Sequence, residues 1–303
     1  MTQTEQNQRM ARTVLIIVTR PSLDFGGSED SPPFHRADPG QPQLSVLDLA
    51  ATRGDGVFES ISVINGIPHA LDAHLSRFDS SAALLDLPRP NLSVWRSALE
   101  AALAELDPTP EAYLRAVLSR GIEGTRQPTG WVYAAPSADY SAVRTNGVRV
   151  VLLDRGYSHS IESTSPWLLA GAKTLSYAVN RAVLREAARR DADDVVFVSS
   201  EGFVLEGPTA SLLFLRGDEI GTPGSGLGIL AGTTQGDVFA WAASARIPTG
   251  FANLTVDEFR ATDAAWLVSS SRHAVAIREI DGRPHPVRPD LTRDINTFLL
   301  SGR

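Results

Sequence analysis

Of the 28 basic residues in this sequence, 27 are arginine and one, Lys173, is lysine. Arginine keeps its proton at any physiological pH, whereas a lysine amine can lose its proton near neutrality and attack a carbonyl carbon. A chain that uses arginine everywhere else makes its lone lysine a candidate amine nucleophile. The competing explanation is bland: an arginine bias of coding origin leaves some lysine to be the last. On the count alone both readings stand.

Other chemistries lack their residues. The sequence has no cysteine, which excludes thiol catalysis, thiolate metal sites and disulfides together. The six histidines (His35, His69, His74, His159, His273 and His285) do not fall at metal-ligand spacings, and no serine sits in a nucleophile elbow. The glycines of the 224–228 segment are wrongly spaced for a dinucleotide turn, and no Gly-Lys phosphate loop occurs. A net charge of −7 gives no electrostatic case for nucleic acid or anionic lipid. At 43% hydrophobic and 21% charged over 303 residues, the composition is that of a globular protein long enough for two domains. No apolar run approaches the roughly 18 residues of a membrane span. Thr13–Val18 is too short and lacks the cleavage site of a secretory signal, so a cytoplasmic protein is expected.

The elements that must position the chemistry follow from periodicity and punctuation. Residues 1–12 are polar and patternless, the expectation for a disordered start, and 21–43, rich in Pro, Gly, Ser and Asp, read as a loop or flap. Thr13–Thr19 is a buried strand by its β-branched run. Phe58–Val63 and Ile67–Leu71 form a hairpin about Asn65-Gly66. Asp72 is expected to cap a helix to Leu85, and a second helix covers Leu92–Leu106. Strands follow at Tyr113–Leu118 and Trp131–Ala135.

After a linker at 139–147, strands are expected at Val148–Leu153, Val195–Val198, Phe203–Leu205, Ser211–Leu215, Ala264–Val268 and Ala274–Ile280. Helices are expected at Ser176–Arg190, from a cap at Thr233 or Thr234 to Ala245, and at Leu291–Leu300. Mixed elements without a βαβ rhythm predict an α+β chain of two domains, a smaller one over 13–138 and a larger one over 148–303.

Four blocks, in one order, carry a family likeness: Gly54-Asp-Gly-Val-Phe-Glu59; His74-Leu-Ser-Arg-Phe78; Lys173-Thr-Leu-Ser-Tyr177 with Arg185-Glu-Ala187; and Gly202 through Leu205-Glu-Gly-Pro208 to Gly232-Thr-Thr234. Through them the chain resembles the class IV pyridoxal-phosphate enzymes, which comprise branched-chain aminotransferases, D-amino-acid transaminases and 4-amino-4-deoxychorismate lyases. The likeness spans about Arg53 to Ser271 and implies the two-domain fold type IV architecture with a cofactor-binding C-terminal domain. It also implies a homodimer.

The resemblance assigns roles to residues. Lys173 falls on the family lysine, which holds the cofactor aldehyde as a Schiff base and then moves protons at the reacting carbon. Glu206 matches the carboxylate that pairs with the pyridinium nitrogen and keeps the ring an electron sink. Tyr177 matches a tyrosine that hydrogen-bonds the phenolic oxygen. Arg77 matches the phosphate arginine, Thr233 and Thr234 open a helix suited to the phosphate, and Ser270 supplies a second phosphate hydroxyl. The plain alternatives are a surface lysine, a strand-end glutamate, a packed tyrosine, a helix-surface arginine pair and simple N-capping. Gly54, Asp55 and Gly56 read as structural.

Departures from the pattern bear on the reaction. Branched-chain members continue the Phe-Glu block into Gly-Ile-Arg, but here Phe58-Glu59 runs into Ser60-Ile-Ser62. D-amino-acid members place an Arg-x-His pair after an Arg-Gly turn, whereas Arg120-Gly121 is followed by Thr125-Arg-Gln127, which keeps an arginine and lacks the histidine. Arg126 is therefore the candidate for a substrate carboxylate, with a solvated loop arginine as its alternative. Gly171–Asn180 and the Gly-Thr-Thr-Gln ending at Gln235 look closest to aminodeoxychorismate lyases. Lyase chemistry, with release of pyruvate and 4-aminobenzoate, is the leading expectation. Transamination of D-amino or branched-chain amino acids is the alternative, and a non-catalytic cofactor-binding protein is the remote one.

Overall fold

The computed structural model describes residues 13–24, 31–224 and 226–301. The expected disordered start lies outside them, as do 25–30 of the expected flap. The chain divides into two compact units, one running through Ala138 and taking back Ala172–Tyr177, the other holding Asp139–Gly171 and Ala178–Ser301. Lys173, counted with the C-terminal domain on sequence, thus lies in the first unit. Within the stretch expected as a linker, Ser141–Asn146 is a helix closed by Gly147 at φ +70°. Among the described residues, no helix is long and apolar enough to cross a membrane.

The first unit is an antiparallel sheet of β1 (Val14–Val18), β2 (Phe34–Ala37), β3 (Gly56–Ile64), β4 (Ile67–Pro68), β5 (Glu111–Ser119) and β6 (Thr129–Pro136). Their order is β2-β1-β6-β5-β3-β4. β2 lies inside the expected flap. Its residues are half-buried or exposed, so it joins through main-chain hydrogen bonds that no hydrophobic pattern announces.

Alternation along the strands makes two faces. Val57, Ile61, Leu114, Leu118, Val132 and Ile16 are buried on one, where helices Leu71–Leu84 and Leu92–Ala104 contribute Phe78, Trp95 and Leu99. The Phe78 and Trp95 rings meet edge-on at 5.0 Å, and Gly130 leaves the room Trp95 needs, since a Cβ there would come within 3.0 Å of its ring. Phe58, Ser60, Tyr113, Arg115 and Tyr133 stand half-buried on the opposite face. The first helix starts at Leu71 after a left-handed Ala70, so Asp72 is a first-turn residue facing the helix dipole rather than the cap.

The second unit is a mixed sheet of β7 (Val148–Asp154), β8 (Asp194–Val198), β9 (Ser211–Arg216), β10 (Glu219–Thr222), β11 (Thr249–Phe251), β12 (Ala264–Ser269), β13 (His273–Ile280) and β14 (Arg283–Pro284). The path is β11-β10-β9-β12-β13-β7-β8, with β14 on β13. The parallel pairs β7–β8 and β10–β11 are bridged by helices Ala178–Arg189 and Thr233–Ser244, two crossovers that the sequence pattern does not reveal. Trp266, Leu213, Leu215 and Val268 pack on Val238, Ala242, Ile295 and Leu299 on one side of the sheet, while Phe214, Leu212 and Ile277 pack on Leu254 and Phe259 on the other. Phe203–Leu205, expected as a strand, makes only isolated bridges, Val198 to Val204 and Phe203 to Thr255.

Gly56 is where local sequence and long-range packing meet. A Cβ there would lie 2.6 Å from the Leu118 carbonyl oxygen and 2.7 Å from Leu175 Cδ1. Gly56→Ala is expected to cost about 1–3 kcal/mol, read as a lower urea midpoint, and to loosen the 173–175 segment against proteolysis.

Candidate active site

Lys173 is set by its backbone before its side chain makes a contact. The Phe58 N–H donates to the Lys173 carbonyl at 3.1 Å, the Leu175 N–H donates to the Gly56 carbonyl at 2.8 Å, and Val57 bridges Thr174 antiparallel. The segment thus lengthens the sheet along the part of β3 that β4 leaves open. The Lys173 N–H donates to Ser81 Oγ at 3.2 Å. Its ammonium sits 4.5 Å from the centroid of the Phe58 ring, and Tyr177 meets the same ring edge-on at 5.4 Å.

His74, Arg77 and Ser81 lie on one face of the Leu71–Leu84 helix, at i, i+3 and i+7. That face looks onto β3. Glu59, 1% exposed, receives the Arg77 fork, Nε to Oε1 at 2.8 Å and Nη2 to Oε2 at 2.7 Å, together with His74 Nδ1 at 2.6 Å. Burial would push the Glu59 carboxyl up, but the hydrogen bonds and charges of Arg77 and His74 hold it down at about 2, against an ordinary 4.5. With Glu59 ionised, the proton of the short contact belongs to His74 Nδ1. Burial pushes the His74 imidazole down, against the hydrogen bond to Glu59; the positive charges of Arg77 and Lys173 push the same way.

Arg115 was not singled out by the sequence reading. On β5 it registers with Ser60 of β3 and Tyr133 of β6, and its Nε donates to Ser60 Oγ at 3.2 Å. Its guanidinium carbon lies 5.5–5.7 Å from the ring centroids of Phe58, Tyr113 and Tyr133. The signal was present in Tyr113-x-Arg115, two polar-tipped residues two apart on one face of a strand, but nothing local says that this face carries the lysine. Phe58 is therefore shared by the amine of Lys173 and the fork of Arg115, a positively charged locus suited to an anionic ligand. Arg126 lies exposed in the loop between β5 and β6. Arg120, in the same loop, is structural: it grips Asp55 at 2.7 and 3.2 Å and the Leu85 carbonyl at 2.7 Å.

In the second unit, Glu206 is fixed through its main chain, with Leu205 N–H to the Phe197 carbonyl at 2.8 Å and Phe197 N–H to the Glu206 carbonyl at 2.9 Å. Its carboxylate is 14% exposed, accepts the Leu230 N–H at 3.2 Å and lies 3.5 Å from Arg155 Nη1. Arg155 is itself stacked near Phe197 and Tyr157 and donates to the Gly228 carbonyl at 3.0 Å. Gly232, with extended backbone, is the N-cap of the Thr233–Ser244 helix, so both threonines are first-turn residues rather than the cap. A Cβ at 232 would come within 2.2 Å of Ser211 Oγ, which explains the glycine. Thr234 Oγ1 and Ser270 Oγ are 3.4 Å apart, bringing the β12–β13 turn to that helix start.

Each unit, taken by itself, offers groups of a definite chemistry: in the first, a lysine amine of the kind that takes up an aldehyde; in the second, a largely buried carboxylate of the kind that pairs with a basic ring nitrogen, and hydroxyls in the first turn of a helix, which suit a phosphate.

Comparison with known proteins agrees. The amino-transferase class IV family matches residues 56–280. A bifunctional aminodeoxychorismate lyase / D-amino acid transaminase of Mycobacterium tuberculosis is 43% identical over 261 residues, 83% of this chain and 90% of that protein. A fold IV transaminase from Curtobacterium pusillum is 49% identical with a TM-score of 0.91, over 96% of this chain and 99% of that one. A hypothetical aminotransferase from Mycobacterium tuberculosis in its PLP-bound form is 37% identical with a TM-score of 0.85, over 96% and 100%.

Because Glu59 is held at about 2 in the fold and titrates near 4.5 when unfolded, it stabilises the protein above about pH 4.5, and that contribution is lost as pH falls toward 2. Urea midpoints measured across this window should fall for the wild type and change less steeply for Glu59→Gln. Parallel profiles would remove Glu59 from the network.

Proposed function

The chain belongs to the class IV aminotransferases, an enzyme family whose cofactor is pyridoxal 5'-phosphate, and within it we propose that it is a 4-amino-4-deoxychorismate lyase. The observation that carries this reading is the likeness to the bifunctional lyase and transaminase at 43% identity. The second reading, transamination of D-amino acids, has the same relative and the fold IV transaminase at 49% identity in its favour. A cytoplasmic homodimer is part of the proposal and rests on the family resemblance.

Bound pyridoxal phosphate supplies an aldehyde that an amine can hold and a ring that withdraws electrons. Lys173, the single lysine, holds the cofactor and then takes the proton from the carbon that bears the substrate's amino group. Loss of that proton, with cleavage of the bond between the ring carbon and the ether oxygen, would expel enolpyruvate, which takes up a proton on its methylene carbon to become pyruvate, and leave the aromatic ring of 4-aminobenzoate. In the transaminase reading Lys173 returns the proton instead of letting a group leave. Glu206 would set its negative charge against the ring nitrogen, Tyr177 would bond the phenolic oxygen, and Arg77, Thr233, Thr234 and Ser270 would take the phosphate.

Both substrate classes carry carboxylates. Arg126, the residue proposed from sequence, is exposed in its loop. Arg115 shares the Phe58 ring with the amine, its orientation fixed by Ser60 and three rings, and this favours Arg115 as the carboxylate partner. A charge-assisted contact is worth about 1.5–3 kcal/mol, so Arg115→Gln should raise KM about ten- to a hundredfold, and Arg126→Ala much less. The reverse ranking would restore Arg126.

The function itself is tested by giving the holoenzyme aminodeoxychorismate and following 4-aminobenzoate fluorescence, and separately giving it D-glutamate with pyruvate and following D-alanine. Pyruvate release alone does not discriminate, since transamination of D-alanine also yields it. Fluorescence with turnover supports the lyase, D-alanine without fluorescence replaces it by the transaminase, and Lys173→Ala should abolish both along with covalent retention of the cofactor. Full turnover by Lys173→Ala would overturn the cofactor roles.

A further inference from the structure

The turn between β12 and β13 is braced more heavily than a short hairpin turn requires. Ser269 and His273 are ladder partners, so Ser270, Ser271 and Arg272 make a three-residue turn. His273 follows it at φ +61°, a left-handed position that glycine takes without cost. Such backbone persists in a non-glycine residue only where the surroundings over-determine it. Here they do. His273 is 2% exposed, and its Nδ1 accepts from Arg144 Nη1 at 3.1 Å, a guanidinium being unable to accept. The Arg272 N–H donates to Ser269 Oγ at 3.3 Å, and its Nη2 donates to Asp194 Oδ2 at 2.6 Å. Asp194 is 1% exposed at the start of β8, and its Oδ1 accepts the Val195 N–H at 2.8 Å.

A buried ion pair is a poor way to gain stability, because desolvation cancels most of the attraction. It is a good way to fix geometry. What this pair fixes is the turn whose Ser270 Oγ stands 3.4 Å from Thr234 Oγ1 in the first turn of the Thr233–Ser244 helix. Asp194 balances the charge of Arg272, so the effect on an anion at that helix start works through position rather than field.

We propose that Arg272, through its ion pair with Asp194, is a positioning residue that holds the Ser270 hydroxyl against the helix start to receive the cofactor's phosphate. The inference rests on the reading that Thr233, Thr234 and Ser270 take the phosphate.

The test titrates cofactor-stripped full-length protein with pyridoxal phosphate and, separately, with pyridoxal, following tryptophan fluorescence; the ratio of the two affinities isolates the phosphate. Arg272→Gln should weaken the phosphorylated form about tenfold and leave pyridoxal unchanged. Asp194→Asn should do the same, and the double variant should lose no more than the worse single one, as expected for residues that act as a unit. Should Arg272→Gln fail to fold, Arg272→Lys, which keeps the charge without the fork, should show a smaller selective loss. An unchanged ratio, equal losses for both ligands, or additive losses in the double variant would each overturn the proposal. Ser270→Ala separates it from the reading beneath it. Selective loss in Ser270→Ala with none in Arg272→Gln defeats the positioning role alone, whereas no selective loss in Ser270→Ala defeats the phosphate role of the turn.

Discussion

Lys173, the amine proposed to carry the chemistry, is placed by main-chain hydrogen bonds to β3, with its side chain following. Phe58 and Gly56 hold residues 173 and 175 as a short extension of the sheet, and Ser81 holds the Lys173 N–H from the helix side. A lysine side chain has four rotatable bonds and would lose considerable entropy if it alone had to find its position. Fixing the backbone at both sides shortens the search to the side chain. The requirement for glycine at 56 follows directly, since the strand must approach both Leu118 and Leu175 there.

The same helix face that meets Lys173 carries a second constraint. Glu59 is buried with two partners on the Leu71–Leu84 helix; removing Arg77 would leave an uncompensated charge in a dry site, and removing His74 would take away a buried hydrogen bond. Its network fixes the helix register on β3 and therefore the height of Ser81 against Lys173. Strand β3 thus serves both faces. Val57, Glu59 and Ile61 look to the helices, while Phe58 and Ser60 look to the face where Arg115 and the lysine amine meet. A one-residue slip would exchange the two sets, so the register of β3 and β5 is strongly specified.

The second unit likewise holds its polar groups by ion pairs and hydrogen bonds, here around a mixed sheet. Glu206 is anchored by backbone and by Arg155, and the β12–β13 turn by Arg272 and Arg144. Arginine suits this work because its planar fork holds carboxylates and backbone carbonyls at fixed angles and never titrates. The arginine bias of the sequence therefore has structural uses that a count of charges conceals.

The sequence by itself determined the chemistry-bearing residue types and most of the elements that hold them. Periodicity located the helices at 71–84, 92–104 and 289–299 and the long strands, because side-chain alternation is a local property of the chain. The lone lysine and the four motif blocks pointed to Lys173 and to the family that the 56–280 match establishes. The tertiary structure decided what depends on residues far apart in the chain. It made β2 a strand although Phe34-His-Arg-Ala37 shows no apolar alternation, because an edge needs only backbone partners. It moved the helix caps to Ala70 and Gly232, where crowding and backbone dihedrals, rather than side-chain type, select the start. It returned residues 172–177 to the N-terminal sheet, and it gathered Phe58, Arg115 and Lys173 from three separate segments around one ring. Side-chain alternation along one strand is written in neighbouring residues, but pairing between strands is a property of the whole chain, and there the local signal ends.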